Sequence, residues 1–453
     1  MEFSVMKIPF ILQVSAVLFF LISTTPAAAN LTWAFDNSRA DVAVADTATE
    51  IYVERLDRNI PFSNFRYPQV APNGDIAFIT DDPLKFGSDW ELQLHGAYLS
   101  PASGEGLVPI VEIKKQLADS LELEPVYIRG LQADGNQYVF QAIFDYGIYA
   151  IVYWSRVTGI RLITNPDPDS PNYNPWTGYA DVSGELVLYN ARDSEQKNAL
   201  FLHHLGRNET RKLLTVDTPI PLGGRRSFHR ISPQNWIDGD RIVFRAAWED
   251  DSYKTHAPYP EDDGSGASRG IYGWEGVDFD RPETTSVDNL VKYLDGTEAV
   301  PLGDGERFCY IASAPVSGDL IAFSGGWYGR YGIHTLQNGE LQVVVDTKTE
   351  IPSLFSGPFT HFKKWISTLP GHVAFIGEAE SGAYRGIFLY DIENDTLHRL
   401  YDNRQTLEGK SIASFEIGSN LLLGDQFAAM VRFRDQSSGI YLFRRGKTGM
   451  RRQ

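Results

Sequence analysis

The chain has 453 residues with 41 Lys and Arg against 58 Asp and Glu, a net charge of -17. That balance excludes generic binding to a phosphate backbone, which needs clustered cations, so no nucleic-acid partner is expected. The single cysteine, Cys309, excludes an internal disulfide; it lies in the apolar run Phe308-Cys-Tyr-Ile311, where a buried, inert thiol is expected. In chain order, Lys7, an apolar run from Ile8 to Ile22 and Ala27-Ala28-Ala29 form a secretory signal peptide, with cleavage expected after Ala29. The run is too short to span a bilayer, and no later stretch is long enough, so no membrane anchor is expected. The mature protein, 30–453, is expected to be a monomer, secreted or periplasmic.

One phrase then recurs: a Gly turn leading into a β-rich run. It appears as Asn73-Gly74-Asp-Ile-Ala-Phe78, Asp134-Gly135-Asn-Gln-Tyr-Val-Phe140, Ser183-Gly184-Glu-Leu-Val-Leu-Tyr189 and Asp238-Gly239-Asp-Arg-Ile-Val-Phe244. Ser317-Gly318-Asp-Leu-Ile-Ala-Phe323, Pro370-Gly371-His-Val-Ala-Phe375 and Leu423-Gly424-Asp-Gln-Phe-Ala428 complete the series. Asn-Gly and Asp-Gly supply the positive φ angles that tight hairpins require. A second phrase follows each turn, as in Gly147-Ile-Tyr149, Gly270-Ile-Tyr272, Gly332-Ile-His334 and Gly439-Ile-Tyr441, and Ala199-Leu-Phe201 stands in the third unit. Further strands such as Thr210–Leu214 and Glu340–Val344 close most units. With the strand before each Gly turn, each unit has four strands, and only Val111 to Leu121 hints at a helix.

Seven four-stranded units with Gly turns 49 to 79 residues apart predict an all-β, seven-bladed β-propeller. A pair of β-sandwiches is the alternative, but sandwich strands would not repeat one phrase seven times. Few residues follow Gly439-Ile-Tyr-Leu-Phe443, so the seventh blade lacks a fourth strand. The run 49–56 is a strand without a blade, and it is read as the closing strand of that seventh blade. The fourth unit is longest because of a polar loop, 249–269, between its second and third strands.

The Gly74-Asp-Ile-Ala-Phe78 and Gly371-His-Val-Ala-Phe375 runs resemble the Gly-x-x-Ala-Phe part of secreted bacterial tandem Asn-x-x-Gly-x-x-Ala-Phe repeat proteins. More distantly, the chain resembles TolB-like and WD40-like propeller repeats. The resemblance implies a propeller in an extracellular or periplasmic setting, and it carries no catalytic residues. Sialidase-type Asp boxes are absent, no His-x-His pair suggests a metal-dependent pectate lyase, and no residues remain for a hydrolase domain of the prolyl-oligopeptidase type.

In a propeller the innermost strand of each blade lines the channel, and here that is the strand before each Gly turn. Its residues at the mouth include Arg66, Tyr67, Arg129, Trp176, Tyr179, His229, Arg230, Tyr310, His361, Lys363 and Lys364, with Arg225 and Arg226 just ahead of the fourth blade. Cations focused in a cleft attract anions, and Arg grips carboxylate or sulfate bidentately. Three functions fit: a binding module for a saccharide, anionic or not, or for a protein partner; a polysaccharide lyase acting on an acidic glycan; and a TolB-like envelope interaction protein. A lyase needs a base such as His229 or Tyr67 and a cation on the substrate carboxylate such as Arg230. Pairing of these cations with Asp and Glu between blades is the competing explanation. The long loop brings His256 towards the mouth. The only cofactor indicated is calcium, for which Asp81-Asp82, Asp167, Asp169, Asn172 and Glu261-Asp262-Asp263 offer hard oxygens.

Overall fold

A computed structural model describes residues 51–55, 65–80, 96–103, 107–112, 125–144, 148–164, 177–222, 226–248, 269–301, 305–327, 330–351, 357–379, 382–418, 422–423 and 426–445. Seven antiparallel sheets succeed one another around a common axis, with almost no helix. The innermost strands of blades 1 to 4 are Phe65–Val70, Pro125–Asp134, Thr177–Ser183 and Phe228–Asp238. In blade 5 the inner strand is split into Tyr310–Ala312 and Val316–Ser317; blades 6 and 7 begin at His361–Leu369 and Lys410–Glu416. The signal-peptide residues and Gly424 lie outside the described residues. Among those described, no helix is long and apolar enough to cross a membrane.

The repeated phrases have a physical origin in the cores of the blades. Gly74, Gly135, Gly184, Gly239, Gly318 and Gly371 all adopt positive φ, between 55° and 85°, at the turn from first to second strand. The aromatic four or five residues later is buried, and in several blades it meets two other rings. Phe244 packs with Phe228 at 5.9 Å and with Tyr272 at 5.9 Å, while Phe228 and Tyr272 meet edge to face at 4.9 Å and 78°. The same triangle recurs as Phe308, Phe323 and His334, whose edge contact is 5.2 Å at 79°. It recurs again as Phe359, Phe375 and Phe388, with 4.9 Å and 80°. The third residue of the phrase is therefore a core ring at Tyr272, His334 and Phe388, which edge-to-face packing rewards beyond its burial.

His334 shows what this position demands. Burial pushes its imidazole down to about 4, although Nε2 lies 3.1 Å from the Gly325 carbonyl, and Nδ1 is buried without a hydrogen-bond partner. The folded state keeps the ring neutral while the unfolded chain protonates it near 6.5, so its contribution is full above about pH 6.5 and is lost as pH falls through about 4. The loss amounts to about 3 kcal/mol at most. His334→Phe, which copies the ring found at position 388, is expected to melt close to wild type at neutral pH. Below pH 5 it should outlast wild type, as thermal scans across pH will read; equal acid sensitivity would contradict this origin.

Between blades, the turns latch in series. The Gly184 amide donates to Asp134 Oδ2 at 2.6 Å, the Gly239 amide to Ser183 Oγ at 2.9 Å, and the Gly318 amide to Asp238 Oδ2 at 2.6 Å. On the opposite, mouth face, blades 4, 5 and 6 are each preceded by a hairpin arm of one design. Ile220 donates to the Arg226 carbonyl and Phe228 to that of Thr218; Val300 and Phe308 bond Glu306 and Glu298, and Ile351 and Phe359 bond Gly357 and Thr349. Each arm delivers the Phe that opens the next aromatic triangle.

Three sequence expectations change in detail. Val111 belongs to the strand Val108–Glu112, not to a helix, because the outer strand of blade 1 needs its apolar residues in the core. Cys309 is half-buried rather than buried, with Sγ 3.4 Å from the Gly326 carbonyl, because it sits in the irregular stretch before Tyr310. The length of the fourth unit has a second source. Besides 249–268, which lie outside the described residues, two short 3-10 turns, Pro282–Thr285 and Val287–Asn289, separate its third strand from its fourth. The run Ile51–Arg55 pairs antiparallel with Ser438–Arg445, from Ile51 opposite Arg445 to Arg55 opposite Tyr441, and stands outermost in that sheet.

Candidate functional site

Every innermost strand loses its register partway along. The shifts fall between Arg66 and Gln69, Arg129 and Gln132, Thr177 and Ala180, Ile231 and Asn235, Phe362 and Ile366, and Ile412 and Ser414, while blade 5 breaks between Ala312 and Val316. Bulges bend a strand and re-aim its side chains. Pro68, Pro233 and Pro315 mark three of these sites, since proline is tolerated where ladder bonds are already missing. The carbonyls freed in this way are taken by the second strand of the preceding blade. Gln141 Nε2 donates to the Gly178 carbonyl at 2.9 Å, Asn190 Nδ2 to that of Ser232 at 3.1 Å, and Arg245 Nη1 to that of Ile311 at 2.9 Å.

The bulged halves of blades 3 to 7 enclose a cavity of about 540 Å3 at the mouth of the channel. Its basic residues are Arg230, Arg245 and Arg269 from blade 4 and His361, Lys363 and Lys364 from blade 6, and among the described residues one carboxylate, Glu416, lines it. Arg245 is pinned, with Nη2 2.9 Å from Ser232 Oγ in addition to its bond to Ile311. Lys363 Nζ lies 3.3 Å from the buried Glu378, which Arg385 also approaches at 3.0 Å. Along the wall of blades 5 and 6 runs an aromatic series. The Arg269 guanidinium lies 6.0 Å from the Tyr310 ring, Tyr310 lies 5.4 Å from Tyr331, and Tyr331 lies 6.5 Å from His361 with planes 17° apart. Phe362, Trp365 and Phe415 add apolar surface.

The floor is narrow. Tyr179, Gln234 and Trp365 border both this cavity and a second space of about 10 Å3 further along the axis, lined by Gln69, Gln132 and Trp236 among others. Arg129 stands behind the floor: its guanidinium lies 5.3 Å from the Tyr179 ring and 5.5 Å from that of Tyr149, and Nε donates to Gln141. Below it, Asp181 is buried and its carboxyl is pushed up to about 7, chiefly by burial, with Asp238 and Asp134 adding to the rise. The amides of Ile237 and Val182, each 3.0 Å away, work against that rise. The stabilisation associated with protonated Asp181 is complete below about pH 4 and is lost as pH rises through about 7, opposite in sign to His334.

Of the sequence-predicted residues, Tyr179, Arg230, Tyr310, His361, Lys363 and Lys364 line the cavity. Arg66 instead reaches Tyr127 Oη at 3.3 Å between blades 1 and 2. Arg129 lies one layer out, and His229 and Arg226 are exposed without lining the cavity. The side chain of Tyr67, and Arg225, Trp176 and His256, lie outside the described residues, as do the Asp-rich calcium candidates. Among the described residues no three His, Cys, Asp or Glu side chains gather as a metal site. Sequence reasoning missed Arg245, Arg269, Tyr331, Trp365 and Glu416. A signal for Arg245 existed: the residue after the second-strand aromatic is polar in four consecutive units, as Gln141, Asn190, Arg245 and Ser324.

No family model matches the sequence, and no curated protein matches it. Among solved structures, the chain is similar to the β-propeller domain of the trilobed protease from Pyrococcus furiosus, at 11% identity over 87% of this chain and 95% of that one, with a TM-score of 0.47. It is similar to TolB from Acinetobacter baumannii at 9% identity over 77% and 76%, TM-score 0.35. It is similar to an acylaminoacyl peptidase from Pyrococcus horikoshii at 11% identity over 88% of this chain but only 53% of that one, TM-score 0.49. Likeness at these identities concerns fold alone; by its own strand pairing the chain is a seven-bladed β-propeller.

Proposed function

We propose that this propeller is an exported binding module, released by cleavage near Ala29, that holds an acidic saccharide in the mouth cavity. The observation that carries the reading is the lining: among the described residues, three arginines, two lysines and a histidine share the cavity with one carboxylate, beside a run of Tyr and Trp rings, in a chain of net charge -17. Charge of that sign concentrated in a cleft of an acidic protein selects anions, and the rings offer flat faces to sugars. The volume falls in the range of small-ligand sites, roughly 300–1,000 Å3.

A lyase is the second reading, favoured by His361, Tyr310 and Tyr331 lining the same cavity as the arginines. In it, Arg230 and Arg269 neutralise a uronate carboxylate and a lining His or Tyr takes the proton beside it. His229 is less well placed for that role than His361.

The two separate when the mature protein is incubated with polygalacturonate, alginate and heparin while calorimetry follows binding and ultraviolet absorbance follows unsaturated chain ends. Binding without new absorbance is the expected result. Unsaturated ends that vanish in Arg230→Ala would establish the lyase, and no binding to any of the three overturns the acidic-saccharide reading, leaving a protein partner of the envelope type.

A further inference from the structure

We infer that the cavity takes its ligand end-on, capturing the terminus of an acidic chain instead of lying against its middle. This rests on the acidic-saccharide reading and specifies how that site is used. Its basis is the floor. Among the described residues, the space that Tyr179, Gln234 and Trp365 share on the axial side of the cavity holds about 10 Å3, barely the room of one water. No sugar ring passes through it.

The floor is held in place by close packing against glycine backbone. Gly130 adopts a φ of +65°, and a Cβ there would stand 2.0 Å from Tyr179 Cδ1, so the tyrosine ring rests on bare backbone. Behind the ring stands Arg129, whose guanidinium lies 5.3 Å away. At the end of blade 7, a Cβ on Gly418 would stand 2.1 Å from the Pro68 carbonyl oxygen of blade 1. At Gly130 and Gly418 the packing against Tyr179 and against the Pro68 carbonyl thus leaves room for glycine alone. Such contacts hold the channel shut at the depth of the bulges.

A site that reads the middle of a polymer must let the chain leave at both ends. Here a chain advancing along the axis meets the floor, and the cavity admits a few groups at most. The cations sit where an anionic terminus would come to rest. Arg245 is fixed deep beside Ser232 and Gln234 of the floor strand, with Arg230 and Arg269 on the same blade and Lys363 and Lys364 across the cavity. The chain behind the terminus then runs out through the mouth, past Tyr310 and Tyr331.

Stoichiometry tests this directly. Short and long size-fractionated preparations of polygalacturonate, alginate and heparin are titrated with the full mature protein, and sedimentation velocity counts proteins per chain. End capture predicts one protein per chain at every length, with the same affinity per chain end, so that sites per gram of polymer fall as chains lengthen. Arg269→Gln should weaken short and long chains alike, by about tenfold or more. Proteins per chain rising with length overturns end capture while leaving the acidic-saccharide reading intact. Absence of binding at every length overturns both.

Discussion

Phe359→Ala is expected to lower the stability of the propeller by about 3–5 kcal/mol, the cost of deleting a large ring from a well-packed core. Phe359 is fully buried and touches three other rings: Phe388 at 4.9 Å, Phe362 at 5.0 Å and Phe375 at 6.2 Å. The surroundings have little room to collapse into the gap. Gly377 already lies so close that a Cβ on it would stand 2.4 Å from the Phe359 ring, and the Phe is tied at both flanks, through its amide to Thr349 of the arm and through the Thr360 amide to Glu378 of the second strand. Guanidinium unfolding should show a lower midpoint with an unchanged slope. A loss below about 1 kcal/mol, the ordinary effect of a point substitution, would contradict the role given to the aromatic triangle.

Removing residues 49–56 is expected to be the more disruptive change. The strand Ile51–Arg55 pairs along five residues with Ser438–Arg445, and without it the last blade would end on an unpaired edge of Tyr441, Leu442 and Phe443. Exposed edges of apolar strands seed association between chains. The truncated protein should melt well below wild type and aggregate on concentration, as thermal scans and light scattering will show. Melting within about two degrees of wild type, where even 1 kcal/mol shifts the midpoint by a few degrees in a domain of moderate size, would refute the closing role of this strand.

The fold was legible because each blade repeats a requirement that only a few residues meet. A positive φ at the six described first turns calls for glycine, and a ring must follow at a set distance to complete the core, so Gly318 and Phe323 announce a blade on their own. The second phrase was legible for the same reason, although His334 could be taken for a site residue until its place beside Phe308 and Phe323 is seen. The candidate site was legible only in part. Tyr310 and His361 stand at the start of their strands, before any bulge, so their assignment needed no register. Arg66, Arg129 and His229 depend on strand register near the bulge, and local geometry turns Arg66 and Arg129 into the packing between blades. Arg245 and Tyr331 come from second and third strands, which the expectation that innermost strands alone line the channel passed over. They reach the cavity because broken inner strands leave openings that longer side chains behind them fill.

The proposed acidic-saccharide site is tested most directly by calorimetric titration of wild type and the Arg230→Gln/Arg269→Gln double variant with a short galacturonate oligomer, at low and at high salt. Both residues line the cavity from blade 4, at Phe228–Asp238 and at the start of Arg269–Trp274. The account predicts binding to wild type that weakens as salt screens the cavity, and loss of at least about a hundredfold in affinity in a double variant that melts like wild type. Equal affinity in the two proteins would place the ligand elsewhere and contradict the assignment of this cavity.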